Sequence, residues 1–478
     1  MNKLKQKYKA LSIEAKAALW FAVCNFLNKG ISMIVVPLYT HLLAVEEYGS
    51  YTVFQSWLDV LLILVTLEIS RGHYKVGITN YDSDVDRYTT SVLGLSNAVT
   101  VVYTALYLCF IPVFNKILGM PTHIVISMLI YLLVYPAWEF WAIRQRFAYK
   151  YKTMIAATLS ISVLTPVIGI LGILLLNLQS PAAIYSRIGV QGIAAIFVYF
   201  GFLKKDRHLF VKEYWKKVFV FNIILIPYLL STTVLNQADR IMINNMVGSA
   251  EAGIYSVAYA IAMLMQLINY AINDAFLPWM YRQLKNKQYK EIEPVTDKIL
   301  LLVAAANILV ILFAPEVLAV FAPPKYYAAL KIIPPVTASV FFMFIFQRYI
   351  SVEAYYEATA RISIISILVA ILNIILNYFC IKQWGYLAAG YTTLACYIVF
   401  AVAHYFSVKQ ICRKKCGTKV FTAGVTLVFS IAFLALVFLL TSLYNYRIIR
   451  YVLALVLFGI AFYKRNFIKQ LFENRNAA

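Results

Sequence analysis

Stretches of roughly 20 mainly apolar residues, the length an α-helix needs to cross the hydrocarbon core of a bilayer, follow one another along the whole chain. They fall near 17–39, 50–70, 88–113, 122–142, 154–177 and 181–203, then resume after a basic gap near 218–241, 253–275, 295–321, 331–356, 362–380, 385–406, 420–441 and 446–463. That pattern predicts an all-α polytopic membrane protein of about fourteen transmembrane helices. A transmembrane β-barrel would show strict alternation over about ten residues, and the run 299-ILLLVAAANILVILF-313 does not alternate. Composition agrees. Of 478 residues 62% are hydrophobic and 13% charged, against about 45–50% and 25% in soluble domains.

The net charge of +22 could suggest nucleic acid, but its distribution argues otherwise. Cytoplasmic loops retain Lys and Arg, whereas translocated loops are depleted of them. With the amino terminus inside and alternation across fourteen spans, 33 of the 43 basic residues fall inside and six outside. Four lie within spans: Lys29, Arg187, Lys331 and Arg348. The split predicts both termini in the cytoplasm of a bacterium, the chain in its inner membrane, and basic loops against anionic lipid headgroups, with no nucleic-acid partner. The first residues, MNKLKQKYKALSIEAK, read as a basic interfacial segment without a following cleavage site. No predicted outer loop is long enough for a catalytic domain, so the chain reads as not an enzyme and any function lies among the helices.

The chain repeats itself. Glu47, Gly49, Tyr51 and Val53 match Glu251, Gly253, Tyr255 and Val257 at an offset of 204. Phe110, Pro112 and Pro121 match Phe313, Pro315 and Pro324 at 203, and Gln145-Arg146 match Gln347-Arg348 at 202. Spans 1–6 thus recur as spans 7–12, in the same orientation because six is even. The expected organisation is an amino-terminal lobe 1–203, a basic linker 204–217, a carboxyl-terminal lobe 218–406, and residues 407–478 holding the last two helices and a tail. Parallel repeats of this kind enclose a cavity at their interface and work by alternating access.

Ionisable residues within spans are costly and usually face a cavity or a partner. Lys29 and Asp59 lie at depths that agree within roughly 3 Å at 1.5 Å per residue, which predicts a pair across the first hairpin. Lys29, Arg187 and Arg348 sit in their spans as cavity cations, with Glu353 beyond Arg348. For Arg240, Lys331 and Arg71, snorkelling to the interface is an equal alternative. Glu139, between Trp138 and Trp141, reads as an interfacial anchor. The excess of cations suits an anionic substrate, because low-dielectric walls strengthen the attraction. Asp59 and Glu353 are the candidates for charge pairing or ion coupling, with protons or sodium equally open.

Other motifs carry less. Asp82, Asp84 and Asp86 form D-x-D-x-D but lack the turn glycine and later Glu of a Ca²⁺ loop, and read as a solvated loop. Six scattered cysteines and five scattered histidines show no ligand spacing, so no metal and no cofactor are expected. No P-loop is present.

Three segments, 46-EEYGSYTVFQ-55, 80-NYDSDVDRYTTSVL-93 and 236-NQADRIMINNMVGSAEAGIYSVA-258, together with the duplicated six-helix lobes, resemble the MOP superfamily of exporters. The likeness is to the Wzx-type oligosaccharide flippases of the polysaccharide transporter family. It implies a MATE-like fold and movement of undecaprenyl-pyrophosphate-linked oligosaccharides between leaflets. Its implied partners are that lipid-linked substrate, membrane lipids and other polysaccharide-assembly proteins. Two rivals stand beside it. A MATE-type cation-coupled drug antiporter usually carries an acid in span 1, where this chain has Lys29. A membrane polymerase or ligase needs a large outer loop.

Overall fold

The computed structural model describes residues 12–464, so the basic residues expected at 3–9 and beyond 464 lie outside the described residues. Among the described residues, thirteen helices are long and apolar enough to cross a membrane. The expected fourteenth falls on a 17-residue helix, Arg447–Tyr463, near the lower limit of a spanning length.

The chain divides into two compact units, at Gly253. The first holds α1 (Ile13–Leu42), α2 (Val45–Thr66), the short α3 (Tyr74–Asn80), α4 (Val85–Cys109), α5 (Ile111–Leu118), α6 (Thr122–Phe147), α7 (Tyr151–Leu176), α8 (Gln179–Lys205) and α9 (Lys212–Met246). The first turn of α10 (Ser249–Lys285) ends it. The second holds the rest of α10, then α11 (Tyr289–Leu312), α12 (Ala314–Phe321), α13 (Ile333–Tyr355), α14 (Thr359–Trp384), α15 (Ala388–Lys415), α16 (Ala423–Thr441) and α17 (Arg447–Tyr463). The contact boundary thus lies one long helix beyond the linker 204–217, because α9 packs along α2 in the first unit.

A helix in lipid satisfies its own backbone, and its hydroxyls do the same locally. Ser56 donates to the Thr52 carbonyl (3.0 Å), Thr104 to that of Thr100 (2.8 Å) and Ser430 to that of Thr426 (2.8 Å). At the start of α1, Ser12 accepts the Ala15 N–H (3.2 Å) with Glu14 in the first turn, a cap that suits the positive end of the helix.

The duplication is visible in the elements. α4 breaks at Phe110 and continues as the eight-residue α5; α11 breaks at Phe313 and continues as the eight-residue α12. Pro112 and Pro315 fall in the first turn of the short helices, where the missing N–H costs nothing. In the first unit, the motif glycines meet. A Cβ on Gly49 would overlap the Ser249 carbonyl, and one on Gly253 would come within 2.6 Å of the Val45 carbonyl. Only glycine allows so close a backbone approach.

The helix ends sort by charge within the first unit. Arg144 at the end of α6 meets Asp86 in the first turn of α4 (2.6 Å), and Lys205 at the end of α8 lies 3.8 Å from the same carboxylate. The D-x-D-x-D segment therefore ties basic helix ends together. At the other end, Glu47 of α2 accepts the Ser180 N–H of α8 (2.9 Å), and Asn245 of α9 donates to the Ile117 carbonyl (2.8 Å).

In the second unit α13 is the core helix: 89% of its apolar window is buried, against 6% for α1. It packs against α11, α14, α15 and α16.

Candidate functional site

Within the first unit, α1, α2, α6, α7 and α8 surround a cavity of about 410 Å³. Its wall is polar for a membrane interior, with Asn28, Ser32, Tyr39, Tyr48, Tyr51, Gln55, Tyr135, Trp138, Ser162 and Gln191. Among the described lining residues one formal charge appears, Arg187. Spacing puts these groups together: Asn28, Ser32, Val35 and Tyr39 recur at three or four residues along α1, hence on one face.

The wall is held by its own hydrogen bonds. Gln55 donates to the Tyr51 hydroxyl (2.8 Å), and the Tyr131 hydroxyl donates to Gln191 (3.0 Å). Tyr39 and Tyr51 meet edge to face with centroids 5.2 Å apart, and Tyr131 stacks on Tyr135 at 5.0 Å. Ser162 donates to the Asn28 amide oxygen. The half-buried Arg187 has a buried Nε without a hydrogen-bond partner. An orphaned guanidinium donor is expensive in an apolar interior and is what an anionic ligand would satisfy.

A second cleft of about 400 Å³ shares Asn28, Tyr135, Trp138 and Thr158 with the first and continues it along α1 and α6. It carries Arg71, Lys75 and Arg146 against one acid, Glu139. The joined lining thus becomes more cationic toward the basic helix ends. Arg71 is steadied by Glu68 (2.6 Å), itself fully buried and set in left-handed backbone with Leu67 (φ 44° and 57°). Glu139, expected as an interfacial anchor, lines this cleft with Ser70, Tyr135, Arg71 and Lys75 about its carboxylate.

The sequence-expected residues separate. Arg187 and Arg71 come together along these clefts. Asp59 is exposed and accepts from Gln237 of α9 (2.8 Å), whose oxygen accepts from Arg240 (2.5 Å), so Arg240 reaches Asp59 through an amide. The cations acting on Asp59 are Arg187, Arg240 and Arg71. Lys29 is exposed on α1 beside the lining residue Asn28, since neighbouring helix positions point about 100° apart. Lys331 is exposed and ends the 3₁₀ turn Pro324–Lys331, before α13 begins.

Arg348 and Glu353 differ from expectation most. Arg348 is 2% exposed. Its guanidinium meets Asp297 (3.0 Å), Thr426 (2.6 Å) and the Tyr349 hydroxyl (3.2 Å) and lies over the Tyr349 and Phe421 rings. Glu353 is fully buried against His404 (2.7 Å). Both had partners far along the chain that no local pattern reveals. So did Arg450, at the start of the last expected span near 446–463: it is 1% exposed and grips Glu316 with both terminal nitrogens (2.7 and 2.8 Å).

Comparison with known proteins places this geometry. A putative protein of the Lsg locus of Haemophilus influenzae is 24% identical over 292 residues, covering 57% of this chain and 67% of that one. The lipid II flippase MurJ, in an inward closed conformation, superposes with a TM-score of 0.69 at 14% identity over 94% of this chain and all of that one. An inward-facing multidrug resistance MATE family transporter of the MOP superfamily gives 0.63 at 13%, over 84% and 99%. Identities this low speak for the fold alone, a MurJ- and MATE-like transporter architecture. Residues 15–283, more than half the sequence, match the polysaccharide biosynthesis protein family, and the chain belongs to that family.

Proposed function

We propose that this multi-pass membrane protein is a flippase for lipid-linked oligosaccharides. Its substrate would be an undecaprenyl-pyrophosphate-linked repeat unit, carried from the inner to the outer leaflet of a bacterial cytoplasmic membrane for a surface polysaccharide. In this reading the basic helix ends and both termini face the cytoplasm, and residues 1–203 and 218–406 are the two copies of the repeat. Alternating access would expose the anionic head to each side in turn while the lipid tail stays in the bilayer.

The observation that carries the proposal is Arg187, with its unpartnered Nε, in a cavity walled by tyrosine hydroxyls and amides and continuous with Arg71, Lys75 and Arg146. A diphosphate presents acceptors in the number and charge such a path requires. The cations lie along one cleft, so the head would be handed from the basic end inward. Asp59, acted on by Arg187, Arg240 and Arg71, is the proposed site of ion coupling; Glu353 is sealed against His404. A drug antiporter would share the fold, but α1 places amides and Lys29 where that class has an acid.

The test is movement of a fluorescent undecaprenyl-pyrophosphate saccharide in proteoliposomes. Arg187→Gln is expected to lower the rate by about tenfold or more, as loss of a charge-assisted contact does. Deletion in the producing cell is expected to accumulate complete repeat units on the inner leaflet. Normal lipid intermediates with heightened drug sensitivity would sink the flippase and favour the antiporter.

A further inference from the structure

At the end of the first unit away from the basic helix ends lies another cavity, of about 470 Å³, between the starts of α2, α6 and α8 and the end of α9. The geometry points to a saccharide-binding site here, one that takes neutral sugar hydroxyls. The inference deepens the proposed function by naming where the glycan itself is recognised, apart from its diphosphate.

The lining excludes other ligand classes. It contains no lysine or arginine among the described residues, so a phosphate finds no counter-charge. Its one acid, Glu47, is already engaged by the N–H and hydroxyl of Ser180. What remains is His123 and three side-chain amides, from Asn177, Gln179 and Asn244, the last also donating to Asn245 (3.0 Å); the Ser50 hydroxyl donates to the Glu46 carbonyl (2.9 Å). Each amide offers a donor and an acceptor side by side, the pairing that vicinal hydroxyls present. The volume lies within the range of small-molecule sites.

The backbone gives a second, independent reason. Asn177 and Gln179 both adopt left-handed conformations, with φ of 55° and 34°. Asparagine tolerates this region, but glutamine gains nothing there. Asn177 is the left-handed cap that ends α7, so Gln179 is the outlier here; a residue held in such a conformation costs of order 1–3 kcal/mol, and such residues gather at ligand clamps. In the adjoining wall Gly119 caps α5 at φ +65°, and a Cβ there would come within 2.7 Å of the Asn244 amide nitrogen.

The experiment uses the full chain in lipid nanodiscs. The probe is the free oligosaccharide released by mild acid from the lipid-linked pool of the producing cell, followed by saturation-transfer NMR. Gln179→Gly relieves the backbone and removes the amide, so the variant is expected to melt higher than the parent yet bind about tenfold more weakly. Asn177→Gly should bind more weakly with its fold intact, while Arg187→Gln should bind the free glycan as the parent does. Unchanged binding in both glycine variants, or no binding by the parent, overturns the site. Binding by a parent that moves no lipid-linked saccharide would instead overturn the flippase and leave the site standing.

Discussion

The two compact units treat a buried arginine in opposite ways. In the first, Arg187 is half buried, faces a polar cavity and keeps an unpartnered Nε. In the second, Arg348 is 2% exposed, paired with Asp297, bonded to Thr426 and covered by two aromatic rings. The acids follow suit: Asp59 is exposed beside the first unit's cations, whereas Glu353 is sealed by His404. Presence in a spanning helix is therefore not what makes a charge functional. Both guanidinia keep a buried Nε without a hydrogen-bond partner, so what separates them is their surroundings: that of Arg187 stands in the wall of a polar cavity, whereas that of Arg348 is enclosed by Asp297, Thr426 and two rings.

The largest effect should come from breaking the sealed arginine. Arg348→Ala leaves Asp297 without its counter-ion in the packed core, and loss of one partner of a buried pair costs about 3–5 kcal/mol. Arg187→Gln should cost less than about 1 kcal/mol of stability while reducing transport sharply. Thermal unfolding in detergent, set beside transport rates, checks both. If Arg348→Ala melts normally and only transport falls, the two arginines are alike and the contrast fails.

Glycines sharpen the same contrast through packing. On α15, Gly390 faces α13, and an added Cβ would sit 3.2 Å from Ile332 and from Pro335. On α8, a Cβ added to Gly189 would meet nothing within 4 Å. Gly390→Ala should destabilise by about 1 kcal/mol or more, since a filled core resists even one methyl. Gly189→Ala should stabilise by up to about 1 kcal/mol through helix propensity. Opposite shifts in melting temperature are the expected outcome; shifts of the same sign would mean that the α8 face is as tightly filled as α13.

Much of the fold was legible in the sequence. Spans follow from hydrophobicity because a helix in lipid closes its own hydrogen bonds, whereas the breaks at Phe110 and Phe313 fall inside the expected spans 88–113 and 295–321 and emerge only in the structure. The site was half legible. Arg187 stood out as a charge in a span, but its wall of Asn28, Ser32, Tyr39 and Gln191 carries no charge, and the signal lay in polar spacing along α1. Lys29 drew attention one position away from the face that matters. Asp297 and His404, the side chains that meet Arg348 and Glu353, are 51 residues distant in each case, and tertiary pairing at such separation leaves no local trace.

The smallest effect concerns two histidines. His404 is enclosed with Glu353 in the second unit, whereas His73, between α2 and α3 in the first, lies 2.9 Å from the Tyr88 hydroxyl at the basic end. Burial, with Lys217 adding to it, holds the His73 imidazole below its usual range. The unfolded chain then binds more protons than the folded one, so this contribution is present above an ordinary histidine value of about 6.5 and is lost as pH falls through the folded value. The melting temperature should accordingly drop on acidification, and His73→Gln should flatten that slope without moving the melting point at pH 8. An unchanged slope in the variant would assign the acid sensitivity to groups outside the first unit's basic end. It would also remove the idea that this end is open enough to water for its histidine to titrate.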